Sequence, residues 1–166
     1  MSDAERQAVV CFIGLGSNLG DPAAQVESAL EIMRETPEIR LLSRSPLYLS
    51  APFGPVDQPD YVNAVAKIST TLGARDLLLV LKRIERLRGR KDGARWGPRV
   101  LDLDLLVYGT LEIDELHLRL PHPGIAERNF VLLPLRDIAP DLDIPGLGRV
   151  ADIAVNESEP RISRIQ

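Results

Sequence analysis

The stretch RWGPRVLDLDLLVYG, residues 95–109, sets two acids inside the most apolar strand-like run of the chain. From Val100 to Tyr108 the residues are those of a β-strand, and Gly109 closes it as a turn residue. Aspartate is a poor strand former, so Asp102 and Asp104 need a reason. Strand side chains alternate, which puts the two carboxylates on one face, roughly 6–7 Å apart along the backbone. Leu101, Leu103 and Leu105 take the other face, so the acids need not enter the core. Two parallel carboxylates are hard oxygen ligands of the kind Mg²⁺ accepts. On their own they fit equally a solvated or arginine-paired strand face.

Upstream, the charge distribution favours the first reading. Between residues 82 and 99 stand Lys82, Arg83, Arg86, Arg88, Arg90, Lys91, Arg95 and Arg99, against Glu85 and Asp92. The chain as a whole carries a net charge of −4, so this is a concentrated basic patch on an acidic protein. A nucleic-acid binder shows a broader basic footprint, and a compact patch suits a small polyanion. Arg90 and Arg99 bracket a loop from which planar guanidinium forks can reach phosphates held by a metal. Its glycines, Gly93 and Gly97, predict a loop that closes over bound ligands.

Working outward from this strand gives the order of the elements. AVVCFIGLG, residues 8–16, is a buried strand. Asp21 and Pro22 start a helix as N-cap and first residue, and Val26, Ala29, Leu30 and Met33 follow at helical spacing until Thr36-Pro37. Residues 39–50 read as a second strand, 51–59 as a proline-stiffened loop, and 61–70 as a third strand. Leu77, Leu78, Leu81, Ile84 and Leu87 place a second helix over 75–88. With the strand at 100–108 the order is β-α-β-β-α-β, an α+β, ferredoxin-like antiparallel sheet. Residues 111–120 add a strand or hairpin and 121–140 one or two short helices. The 166 residues suit a single domain, with about 151–166 a weakly patterned, frayed tail.

Other classes are disfavoured by composition. No apolar run approaches membrane-spanning length, and the opening MSDAERQ is not signal-like. The lone Cys11, within VVCFIG, reads as a buried side chain in a reducing compartment. The chain is expected to be cytoplasmic, monomeric and free of nucleic acid. GLGSNLGD, residues 14–21, lacks the Lys-Ser/Thr ending of a phosphate loop and is read as a strand-to-helix turn. His122 is held between two prolines in LPHPG, and with Arg128 forms a candidate phosphate-contacting pair. Tyr61 and Phe130 are candidates to sandwich a flat heterocycle whose edge Asn63 would read.

The segments GPVDQPDYVNAV, IERLRGR, RWGPRVLDLDLLVYG and LPHPGIAERNFVLLPL together resemble the 6-hydroxymethyl-7,8-dihydropterin pyrophosphokinases of folate biosynthesis, over about residues 9–140. The resemblance implies transfer of the β,γ-diphosphate of ATP to the pterin hydroxymethyl oxygen, with release of AMP. It implies two Mg²⁺ ions on Asp102 and Asp104, and phosphate contacts from Arg90, Lys91, Arg99, His122 and Arg128, with Glu85 beside the nucleotide. The pterin would be held by Ser50, Phe53, Gly54, Tyr61, Asn63, Trp96 and Phe130. Two positions depart from the family pattern. In GRKDG, Asp92 stands where a second arginine is common, and Lys82 stands where a glutamine is common. A nucleotidyltransferase also pairs a Gly-Ser turn with an Asp-x-Asp strand, but here Ser17 and Asp102 are far apart in sequence. A ferredoxin-like RNA-binding module would need exposed aromatics, and aromatics are 4% of the chain.

Overall fold

The computed structural model describes residues 7–52, 57–87 and 101–165. The chain runs β1 (Val9–Ser17), α1 (Pro22–Glu35), β2 (Arg40–Arg44), β3 (Tyr48–Ser50), β4 (Tyr61–Thr70), α2 (Ala74–Leu87) and β5 (Asp102–Tyr108). A hairpin of β6 (Ile113–Glu115) and β7 (Leu118–Leu120) follows, then α3 (Asn129–Ile138), a small hairpin of β8 (Asp143–Ile144) and β9 (Gly148–Arg149), and β10 (Ile162–Arg164). The main sheet has the order β10-β3-β4-β1-β5, with β2 also paired to β4, and every pairing is antiparallel. This is the ferredoxin-like arrangement the element order predicts.

Local chemistry sets these boundaries. Asp21 caps α1 by accepting the Ala24 N–H at 3.2 Å, with Pro22 in the first turn. The residues α1 buries are Val26, Ala29, Leu30 and Met33, the four that its periodicity singles out. The strand predicted over 39–50 is interrupted. Pro46 brings no N–H to the ladder, and the Ser45 hydroxyl takes over by accepting the Val65 N–H at 2.9 Å. On α2 the predicted apolar face is modified at its end, where Leu87 is 67% exposed and Glu85 is buried.

The sheet has a different cover on each face. Cys11, Ile13 and Leu15 of β1, with Leu103 and Leu105 of β5, pack under α1 and α2. Phe12 and Val65 pack with Leu106, Val107 and the apolar side of α3. A bulge in β5 makes this possible. Phe12 pairs with Val107 and Ile13 with Leu105, which leaves Leu106 as the extra residue. Leu106 and Val107 therefore both serve the α3 core, while Asp102 and Asp104, toward the start of the strand, lie beyond it on the same face.

The end of the chain is not a frayed tail. Strand β10 pairs with β3, Ile162 opposite Ser50 and Arg164 opposite Tyr48. Arg164 donates to Asp137 of α3 at 3.1 Å, and the Tyr48 hydroxyl donates to the same carboxylate. Three residues are too few for alternation to show, and what holds them is backbone pairing and polar contact rather than an apolar pattern. No helix among the described residues is long and apolar enough to cross a membrane.

Candidate active site

The α3 face of the sheet is hollow toward the N-terminal end of α3, forming a cleft of about 540 Å³. Its floor is made by residues without side chains. Gly14 lies opposite Asp104 on β5 and Val65 on β4, and Gly16 lies opposite Asp102 and Asn63. Both glycines line the cleft. A Cβ on residue 16 would stand 2.9 Å from Asn63 Oδ1, so that side chain rests in the space the glycine leaves. The GLGSNLGD segment thus contributes strand rather than turn at Gly14 and Gly16, since β1 runs to Ser17. The turn comes after it, at Gly20, whose φ of +66° is a conformation glycine tolerates.

Around this floor the structure gathers most of the described residues that the sequence singled out. Ser50, Tyr61, Asn63, Asp102, Asp104, His122, Arg128 and Phe130 all line the cleft. The acids stand on the β5 side and Asn63 on the β4 side, two strands apart, or roughly 10 Å. Asn63 is 6% exposed, and its Nδ2 donates to the Ser50 hydroxyl at 2.7 Å, which orients the amide. Arg128 lies over the Phe130 ring, Cζ 6.0 Å from its centroid. Gly124 makes room for that arginine, because a Cβ there would meet its Nε at 2.7 Å.

His122 is fixed by two bonds. Its backbone N–H donates to the Leu106 carbonyl at 2.8 Å, on the bulge of β5, and its Nδ1 accepts the Gly124 N–H at 3.0 Å. An accepting Nδ1 leaves Nε2 as the protonated nitrogen of the neutral ring. Burial lowers the His122 pKa; Asp104 nearby raises it and Arg128 lowers it further. The net direction is down, so the neutral ring is favoured.

Glu85 is placed elsewhere. It is 1% exposed, does not appear in the lining of the cleft, and accepts the Leu103 N–H at 3.1 Å. Phe53, Gly54, Arg90, Lys91, Trp96 and Arg99, as well as Asp92, lie outside the described residues. Sequence reasoning missed Gly14 and Gly16 as the floor and Gln58 and Glu127 as part of the lining. The glycines carried a readable signal, a two-residue spacing within a strand-like run. Gln58 is positioned by Asn18, whose amide donates to Gln58 Oε1 at 3.0 Å and to the Pro59 carbonyl at 3.1 Å. Such a contact across 40 positions leaves no mark in the sequence.

The donor set suits magnesium. Two carboxylates stand together at the cleft, and no cluster of three His, Cys, Asp or Glu occurs among the described residues. Mg²⁺ is typically held by one or two carboxylates plus substrate phosphates and water, so a sparse set open to a cleft is what it requires.

Comparison with known proteins agrees with this geometry. A family model described as 7,8-dihydro-6-hydroxymethylpterin-pyrophosphokinase (HPPK) matches residues 12–140. The 2-amino-4-hydroxy-6-hydroxymethyldihydropteridine pyrophosphokinase of Pseudomonas aeruginosa is 48% identical over 134 residues, covering 81% of this chain and 83% of the relative. The Haemophilus influenzae protein of the same name is 41% identical over 157 residues, covering 95% and 98%. The fold is shared with Plasmodium falciparum HPPK-DHPS, wild type with pteroate, at a TM-score of 0.71 and 14% identity. That match covers 90% of this chain but only 42% of the larger Plasmodium chain. Gly16 and Asp102 are cross-strand partners, so their distance in space does not exclude a nucleotidyltransferase. The family match decides instead: this chain belongs to the 7,8-dihydro-6-hydroxymethylpterin-pyrophosphokinase family.

Proposed function

We propose that the family's diphosphate transfer, from ATP to the hydroxymethyl group of 6-hydroxymethyl-7,8-dihydropterin in folate synthesis, takes place over Gly14 and Gly16, with two Mg²⁺ ions held by Asp102 and Asp104. The observation that carries this reading is the shared floor. One glycine strand separates the carboxylates from Asn63, leaving room for a flat ring between them.

Each residue then has a part. Asn63, oriented by Ser50, presents both a donor and an acceptor to the pterin edge. Tyr61 and Phe130 supply faces on which the ring stacks. The neutral His122 offers its Nε2–H to a phosphate oxygen, and Arg128 adds a charged fork. Arg90, Lys91 and Arg99 extend that clamp along the triphosphate, and Phe53, Gly54 and Trp96 complete the pterin side, by resemblance to the family. When bound, Mg²⁺ neutralises charge on the triphosphate and eases loss of the hydroxyl proton.

In the reaction the hydroxymethyl oxygen attacks the β phosphorus. The bond from that phosphorus to the α,β-bridging oxygen breaks, AMP leaves with the oxygen, and the hydroxyl proton passes to solvent. Orientation and charge neutralisation supply most of the acceleration in such a transfer. His122 is a poor choice of base, because its Nδ1 already accepts a hydrogen bond. The buried, free Cys11 and the net charge of −4 support a cytoplasmic enzyme that binds no nucleic acid.

The test is to incubate the protein with ATP, the pterin and Mg²⁺ and to identify the products. AMP with pterin diphosphate supports the reading, while ADP or pterin-independent turnover overturns it. Asp102→Asn should reduce turnover by at least about 10²-fold with the fold intact.

A further inference from the structure

Glu85 is the one acid that is fully buried among the described residues, and it sits on a helix whose other buried positions are Ala74, Leu77, Leu81 and Ile84. A carboxylate in such a place needs partners, since an unpaired one is strongly disfavoured. Its Oε2 accepts the Leu103 N–H at 3.1 Å, and its Oε1 lies 3.1 Å from Lys82 Nζ, one turn earlier and partly exposed.

The residue it grips matters more than the grip. Leu103 lies between Asp102 and Asp104, and among the described residues β5 is the outermost strand on its side of the sheet. On an edge strand every second N–H points away from the sheet and must be met by water or by a side chain. Leu103 is wholly buried, so Glu85 supplies the acceptor from the helix face. The cleft lies on the opposite face.

We infer that Glu85 is a positioning residue for the paired aspartates: it clamps the peptide between them and so fixes the angle at which both carboxylates face the cleft. Lys82 pairs with its second oxygen from one turn earlier on the helix. The inference rests on the reading of Asp102 and Asp104 as the metal-holding pair. It assigns Glu85 a role through Leu103 in place of direct nucleotide contact. Two ligands that share ions tolerate little error, on the order of 0.5 Å, so tilting the peptide between them should loosen both at once.

The test uses the full chain with Mn²⁺ as the probe ion, read by electron paramagnetic resonance in the presence of ATP, and hydrogen exchange at the Leu103 amide without metal. Glu85→Met keeps the side-chain volume and removes the acceptor. It should weaken Mn²⁺ binding by about 10- to 100-fold, the usual loss when a supporting partner of a metal ligand is removed. Exchange at Leu103 should rise at least about tenfold relative to Leu15, while metal-free pterin binding stays as it was. Glu85→Gln keeps an acceptor oxygen and should hold both readouts within about threefold of the parent. If Glu85→Met weakens metal-free ATP binding and leaves Mn²⁺ binding and Leu103 exchange unchanged, Glu85 is a nucleotide contact and the inference is overturned. A Glu85→Gln variant as impaired as Glu85→Met overturns it too, and Glu85→Gln against the parent decides alone if Glu85→Met does not fold. Should Asp102→Asn retain full Mn²⁺ affinity, the metal reading fails separately.

Discussion

Gly16 and Asn63 face each other across β1 and β4, and the amide oxygen of Asn63 occupies the space that a Cβ at residue 16 would claim. Gly16→Ala therefore displaces the side chain proposed to read the pterin. Overpacking of this kind costs about 1–3 kcal/mol. The expected outcome is a KM for the pterin raised about tenfold or more, with KM for ATP little changed. Steady-state kinetics checks this, and equal increases in the two KM values would contradict it.

His122 should titrate below 6.5 in the ligand-free protein, because burial, foremost, and Arg128 depress it more than Asp104 raises it. The sign for stability follows from proton counting. Where the folded pKa is the lower one, the unfolded chain binds the proton first as the pH falls. The contribution is then fully present above 6.5 and is lost as the pH falls through the folded value. Denaturant midpoints of the parent should decline across that window, and those of His122→Gln should decline less. Nitrogen-15 spectra at pH 7 should show a neutral ring protonated at Nε2.

Burial pushes the Cys11 thiol up to about 12, and the residue has no exposed surface. Thiol reagents at pH 8 should leave the folded protein unlabelled and should modify it at a rate set by unfolding. Rapid stoichiometric labelling under native conditions would contradict this placement.

Asn129 ties the end of the chain to α3, its Nδ2 donating to the carbonyls of Asn156 and Pro160 at 2.7 and 2.8 Å. Asn129→Ala removes both bonds. At about 0.5–1.5 kcal/mol each, the loss is about 1–3 kcal/mol, read as a lower urea midpoint. The effect should reach the cleft, since β10 braces β3 beside Ser50. Removing residues 161–166 should therefore raise KM for the pterin as well as reduce stability.

What the sequence revealed and what it hid divide by the range of the interactions. The order of strands and helices was legible because Leu77, Leu81 and Ile84, or Leu103 and Leu105, repeat with the period of their element. The carboxylate pair was legible for the same reason, since alternation alone puts Asp102 and Asp104 on one face. The break between β2 and β3 was hidden, because it depends on the Ser45 hydroxyl meeting Val65 twenty positions away. Strand β10 was hidden because its pairing uses backbone groups that every residue has. Glu85 was identified, but its burial was hidden, since a charge on a helix ordinarily faces water.

The glycine floor has a consequence for when the site can fail. A cleft walled by loops can lose its shape while the rest of the protein stands. This one is hollowed into β1, paired on both sides by β4 and β5. Amides in such a strand open only with the molecule as a whole. The floor of the cleft should thus keep its shape through heating or denaturant until the sheet itself parts.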